Sequence, residues 1–147
     1  MPSAIICDTT VWLYLGLAKQ EHLLFKLYDE VCVTESVCAE LDIGRTLRDG
    51  VIDPRKLEAV NVVETKNEDL ARLPASDMGE GELTTVAYAL ANDIDVAGLD
   101  DRAARSFAKT MGLVVVGTPG ILLAAKKFGF LGDVKSVLEQ MMRDGFY

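Results

Sequence analysis

Histidine is nearly absent from this 147-residue chain, which has a single one, His22, in a leucine-rich segment of helical pattern. Ser-His-Asp and Cys-His nucleophile schemes and zinc sites therefore lose their central residue. The chain also has no glycine-rich loop followed by a lysine, and no G-x-G-x-x-G after its first apolar run. These absences disfavour P-loop enzymes and dinucleotide-binding folds.

Positive charge is also scarce, since 15 Lys and Arg face 23 Asp and Glu, for a net charge of -8. This balance argues against a general electrostatic grip on nucleic acid. A local basic strip, a bound metal or a basic partner can still reverse the field over one patch.

Cysteine and long apolar runs are rare as well. Cys7, Cys32 and Cys38 include no C-x-x-C pair and lie in apolar surroundings, so we expect buried, reduced thiols. No apolar stretch approaches membrane-spanning length, and the first residues lack a basic segment typical of a secretion signal. We therefore expect a cytoplasmic protein without a membrane contact, with one domain over residues 1–147.

Short apolar runs alternate with segments of helical periodicity along the chain. The alternation predicts an α/β fold, a three-layer α/β/α sandwich around a central, mainly parallel sheet of four to five strands. Between these elements, residues 42–55 are expected to form a loop or a short clamp helix, and residues 66–77 a surface connection. The strand candidates are residues 3–8, 31–33, 60–63, 94–99 and 113–116.

Carboxylates follow two of these predicted strands. Asp8 ends the first, and Asp100 and Asp101 follow the fourth. Ligands of open α/β sheets bind at the carboxyl edge of the strands, so these acids are candidates for a site. Alternatively, Asp100 caps the next helix and Asp101 lies in its first turn.

Glutamates on two predicted helices are further candidates. Glu40 lies on the flank of the third helix, where a lone glutamate is more often solvated. Asp77 and Glu80 have the spacing of a capping box, which gives Glu80 a structural role. We therefore favour Glu82 as the site residue of this helix and keep Glu80 as a second candidate.

After the exclusion of the histidine, P-loop and dinucleotide sites, the side chains left for chemistry are carboxylates. Oxygen ligands without nitrogen or sulfur suit a hard cation such as Mg²⁺ or Mn²⁺, which makes metal-assisted hydrolysis of a phosphodiester the leading reaction. Arg102, Arg105 and Lys109 share a helix face that is either solvated or turned to substrate phosphate. The candidate carboxylates are Asp8, Glu40, Glu82, Asp100 and Asp101.

Several segments in this order resemble the PIN domain family of metal-dependent nucleases, and most closely its compact, VapC-like prokaryotic branch. That branch has a Gly-Glu-x-Glu helix start and a doubled Asp. The matching segments are Ile6-Cys7-Asp8-Thr9-Thr10, Val37-Cys38-Ala39-Glu40-Leu41, Gly79-Glu80-Gly81-Glu82, Leu99-Asp100-Asp101-Arg102 with Ala104-Arg105, and Val116-Gly117-Thr118-Pro119-Gly120-Ile121-Leu122.

The resemblance implies roles for individual residues. An acidic quartet would surround Mg²⁺ or Mn²⁺, Asp101 would be an auxiliary acid, and Thr9 would support the site by a hydrogen bond. Where the family pattern has an Asp as third acid, this chain has Glu80 or Glu82, and the doubled Asp leaves open which carboxylate contacts the metal. The implied quartet is Asp8, Glu40, Glu82 and Asp100.

The resemblance also implies an activity and partners. The expected activity is cleavage of single-stranded RNA that leaves 5′-phosphates. The expected role is that of a toxin, opposed by an antitoxin that places a basic side chain in the acidic pocket. The protein is expected to form a homodimer. Arg102 or Arg105 would steady the substrate phosphate. The competing hypothesis is a catalytically weak or inactive binding module whose acids accept a basic partner. A phosphatase or receiver that uses Asp8 is less favoured, because Thr10 stands where a phosphatase has its second Asp.

Overall fold

Five parallel strands form the centre of the molecule. The structure, a computed structural model, describes residues 4–147, so Ser3 of the first predicted strand lies outside the described residues. The strands are β1 (Ala4–Cys7), β2 (Glu30–Thr34), β3 (Val60–Val63), β4 (Val96–Gly98) and β5 (Val114–Val116). Their order across the sheet is β3-β2-β1-β4-β5, with every pair parallel.

Helices connect the strands, as a parallel sheet requires. A short 3-10 turn at Pro54–Lys56 precedes β3. The helices are α1 (Thr9–Leu17), α2 (His22–Leu27), α3 (Glu35–Leu47), α4 (Asn67–Ala71), α5 (Glu80–Ala91), α6 (Arg102–Thr110), α7 (Thr118–Lys127) and α8 (Val134–Arg143).

The sheet separates two hydrophobic cores. Along β1, Ile5 and Cys7 point into one core and Ala4 and Ile6 into the other, following the two-residue period of a strand. The first core is completed by α1, α2, α3, α7 and α8, and the second by α5 and α6. The predicted three-layer sandwich with a parallel sheet is thus confirmed.

Two of the predicted connections contain helix. Residues 42–55, expected to form a loop or a short clamp helix, begin inside α3, which continues to Leu47. The helix is held there by Arg45, whose guanidinium pairs with Asp42 and donates to the carbonyl of Ile52 at 3.0 Å. The predicted surface connection over residues 66–77 contains α4.

All three cysteines are buried and free. Burial raises the pKa of the Cys32 thiol to about 12 and that of Cys38 to about 11, so neither is a thiolate near neutral pH. Among the described residues, no helix has the length and apolar character needed to cross a bilayer.

Candidate functional site

The carboxyl ends of β1 and β4 bring acidic side chains together at one edge of the sheet. Asp8 directly follows β1 and is the N-cap residue of α1. Its backbone N–H donates to the carbonyl of Gly98, the last residue of β4, at 2.9 Å. The sheet ladder therefore fixes the position of Asp8 within the fold.

Asp8 is a buried carboxylate with an unsatisfied oxygen. It is only 4% exposed, and its Oδ1 has no hydrogen-bond partner among residues 4–147. Burial raises the pKa of Asp8 to about 7. The backbone N–H of Thr9 lowers this pKa, and the negative charges of Glu82, Glu40 and Asp100 raise it further. A buried acceptor without a donor is costly, so this oxygen is suited to a proton or a cation.

Glu40 is held against α1 and α5 by two donors. The hydroxyl of Thr9 donates to Oε1, and the backbone N–H of Gly81 donates to Oε2 at 3.1 Å. A Cβ on residue 81 would lie 2.8 Å from Cδ of Glu40, closer than atoms can approach. Glycine is therefore needed at position 81 to let the carboxylate reach the first turn of α5.

Glu82, rather than Glu80, turns towards the acidic edge. Its pKa is raised by burial and by the charges of Asp101 and Glu40, against the lowering effect of the Gly79 N–H. Glu80 is exposed and accepts only a long 3.4 Å hydrogen bond from Ser36.

The capping arrangement predicted for α5 is wrong. Its N-cap residue is Gly79, and Glu82 accepts the Gly79 backbone N–H at 3.2 Å. Glycine has no side chain to return a bond, so only half of a capping box forms. Glu82 thus has the local structural role that the spacing of Asp77 and Glu80 had suggested for Glu80.

Asp100 is oriented by the start of α7. The backbone N–H and the hydroxyl of Thr118 donate to its two carboxylate oxygens, each at 2.6 Å. Burial raises the pKa of Asp100, although Thr118 and Arg105 work in the opposite direction. A Cβ at Gly117 would lie 3.1 Å from Oδ1 of Asp100, so glycine allows the close approach.

Asp101 is the capping residue of the doubled pair. Its Oδ2 accepts the backbone N–H of Ala104 at 3.0 Å, at the N-terminus of α6. The alternative with Asp100 as cap and Asp101 in the first turn is therefore wrong. Asp101 remains exposed, and its charge acts on Glu82.

The two candidate arginines have different surroundings. Arg105 donates from Nη1 to the carbonyl of Leu99 at 2.9 Å, which ties α6 to the end of β4. Arg102 is exposed at the first position of α6 and lines a cavity together with Asp100. Only Arg102 has a guanidinium without a protein hydrogen bond in the part of the chain that the structure describes.

The carboxylates do not form a finished metal cage. Within residues 4–147, no group of three or more His, Cys, Asp or Glu side chains has the arrangement of a metal cluster. Four of the five acids instead accept hydrogen bonds from the protein itself. The donor set nevertheless fits a hard divalent cation, because it consists of oxygen and includes the unpartnered Oδ1 of Asp8.

Of the residues that orient these acids, sequence reasoning gave Thr9 and missed Thr118, Gly117 and Gly81. Thr118 and Gly117 lie in the stretch after β5, and Gly81 lies between the two candidate glutamates. A threonine at the first position of a helix that starts at the same sheet edge was the available signal for Thr118. The need for Gly81 and Gly117 arises from contacts with distant residues, so no local pattern reveals it.

Comparisons with known proteins agree with this architecture. A family model described as a PIN domain matches residues 4–147. A solved structure of the PIN domain endonuclease Utp24 superposes with a TM-score of 0.57 at 15% sequence identity, covering 79% of this chain and 85% of that one. No curated protein matches the chain. At this identity the structural likeness concerns the fold.

Proposed function

Because the chain belongs to the PIN domain family, whose members are generally nucleases, we propose that it is a divalent-metal-dependent endoribonuclease that hydrolyses single-stranded RNA. The observation that carries the proposal is the buried Oδ1 of Asp8, which has no donor among residues 4–147 and belongs to a carboxyl group on which the charges of Glu82, Glu40 and Asp100 act. A site that gathers acids against their mutual repulsion is relieved by a proton or a cation, and a bound cation allows the acids to stay ionised.

Asp8 and Asp100 would hold the ion, and Glu40, Glu82 and Asp101 would complete its surroundings directly or through water. A bound Mg²⁺ or Mn²⁺ would activate water and neutralise charge on the phosphodiester. Glu80 is the least suitable candidate because its side chain is exposed and paired with Ser36.

The other residues of the site orient these acids. Thr118 fixes both oxygens of Asp100, while Thr9 and the N–H of Gly81 fix Glu40. Held carboxylates lose little freedom when a ligand arrives, which favours a defined geometry. Arg102, next to Asp100, supplies a positive charge for the substrate phosphate.

A toxin role is the biological setting that we propose, with an antitoxin whose basic side chain enters the acidic pocket. The net charge of -8 favours a basic partner of this kind. We also propose a homodimer. Of the apolar Met141-Met142 pair, Met141 is buried and only Met142 is exposed, so Met142 alone could contribute to an interface.

A second candidate function is a binding module without turnover. It is favoured by the protein donors that already occupy four of the five carboxylates and by the absence of a finished metal cluster in residues 4–147. The two functions differ in whether RNA is cut.

Cleavage of labelled single-stranded RNA by chelator-treated protein, with and without added Mn²⁺ or Mg²⁺, tests the proposal. We expect cleavage only with metal, and a loss of cleavage in Asp8→Asn and Asp100→Asn. Asp95→Asn is the matched control, since Asp95 is exposed at the opposite end of β4. Absence of both cleavage and metal binding in the native protein would leave the binding module as the better account.

A further inference from the structure

A groove leads away from the acidic edge and ends at aromatic side chains. It has a volume of about 550 Å³, and its lining includes Thr10, Asp100 and Arg102 as well as Tyr14 and Tyr147. Its volume is in the range of about 300–1,000 Å³ that is common for small-ligand sites. The acids and the aromatic side chains therefore face a common space.

The aromatic wall of this groove is firmly built. The ring of Tyr14 packs edge-to-face against Phe146, with centroids 5.1 Å apart, and Phe146 is only 8% exposed. The backbone N–H of Phe146 donates to the carbonyl of Met141 at 3.0 Å, which fixes the turn after α8. Gly145 makes this turn possible with its positive φ of 110°.

The same turn is tied to α3. Arg48 donates to the carbonyl of Asp144 at 3.0 Å, so the wall is anchored from two directions. Tyr147 follows directly and is fully exposed. An exposed aromatic ring beside a fixed aromatic pair presents a stacking surface.

A second groove continues from the acids in the other direction. It encloses about 340 Å³ and is lined by Arg102, Arg105 and Lys109 together with Asp100. The two grooves share Asp100 and Arg102, so they meet at the acidic edge. A chain of phosphates fits the basic groove, and the aromatic groove has the flat apolar surfaces that a nucleobase requires.

We propose that Tyr14 and Tyr147 form a stacking subsite for one unpaired nucleobase of the RNA, next to the phosphate at the acidic edge. This inference rests on the proposed function and names its substrate subsite. Single-stranded RNA is favoured over a duplex, because only an unstacked base can reach an aromatic side chain. In this arrangement Tyr147 distinguishes an unpaired base from a paired one and accepts any of the four bases.

Binding of RNA with one missing base tests the subsite. The protein carries Asp8→Asn, so that cleavage cannot obscure binding, and affinities for fluorescent oligonucleotides are measured by anisotropy. A series of oligonucleotides has an abasic nucleotide at successive positions. We expect one position at which base removal weakens binding about tenfold.

Variants of Tyr147 test whether the loss of affinity for the abasic oligonucleotide arises from the aromatic wall. Tyr147→Ala should bind the intact and the abasic oligonucleotide equally, whereas Tyr147→Trp should keep the difference. Phe128→Ala is the control, because Phe128 is a half-exposed aromatic residue at the far end of α7. In the cleaving protein, Tyr147→Ala should raise KM and leave kcat nearly unchanged.

The two proposals fail in distinguishable ways. If no RNA is cut but the abasic position and Tyr147 remain coupled in binding, the nuclease proposal is wrong and the subsite stands. If RNA is cut but Tyr147→Ala keeps the full sensitivity to the abasic position, the subsite is overturned. Equal affinity for all the oligonucleotides also overturns the subsite, and the aromatic wall would then be a surface for a protein partner.

Discussion

Asp8 combines burial with an oxygen that no donor satisfies, and this has a consequence for stability. Burial and the neighbouring acids raise the pKa of Asp8 to about 7, whereas the pKa of an aspartate in an unfolded chain is about 3.9. The folded state therefore binds this proton more tightly. The free energy of unfolding then falls as pH rises from about 4 to 7, and the full penalty is present above pH 7.

Asp8→Asn should remove this penalty, because an amide carries no charge. In metal-free protein we expect the variant to gain on the order of 2–4 kcal/mol over the native protein at pH 8, and little at pH 4. Urea unfolding across this pH range measures the difference. Asp95→Asn, with an exposed side chain, is the control. Parallel pH profiles of the native and Asp8→Asn proteins would contradict the interpretation.

At the level of helices and strands, the residue at which each helix begins decides whether an acid at the sheet edge caps the helix or points into the site. The helical periodicity predicted α5 and α6 correctly, because their apolar faces repeat along the chain. The roles of Glu80, Glu82, Asp100 and Asp101 could not be predicted in the same way. A shift of one residue in the start of a helix rotates a side chain by about 100°, and that shift depends on contacts with distant residues such as Thr118.

Asp101 allows the capping role and the charge to be separated. Asp101→Ala removes the cap of α6 and should lower the free energy of unfolding by about 1 kcal/mol, whereas Asp101→Asn can keep the hydrogen bond to Ala104. Because the charge of Asp101 acts on Glu82, we expect Asp101→Asn to be as stable as the native protein but about tenfold slower in RNA cleavage. Native activity in the Asn variant would restrict Asp101 to capping.

For the whole molecule, the sheet order explains why distant segments meet. Parallel strands predicted from apolar runs place Asp8 and Asp100 at the same edge, and the register of β1 on β4 shows them following neighbouring strands. The basic and aromatic grooves on either side were not predictable as a pair. Tyr14 is far in the chain from the adjacent Phe146 and Tyr147, and it is the contact of the Phe146 ring with Tyr14 of α1 that brings them together.

The charge distribution of the whole molecule limits how RNA binds. The chain has a net charge of -8, which opposes RNA binding over most of its surface. The cations that line the basic groove are Arg102, Arg105 and Lys109, so two to three phosphate contacts are available there. Each contact with a single strand contributes about -0.7 to the slope of log K against log salt concentration, which predicts a total slope of about -1.4 to -2.

Lys109→Ala should reduce the magnitude of this slope by about 0.7, because it removes one cation from the basic groove. The affinity of the Asp8→Asn protein for single-stranded RNA, titrated at increasing salt, provides the measurement. Lys127→Ala is the matched control, since Lys127 is exposed at the opposite end of α7 from the site. Equal slopes for the two lysine variants would mean that the phosphates follow another surface, and the basic groove would then have no part in binding.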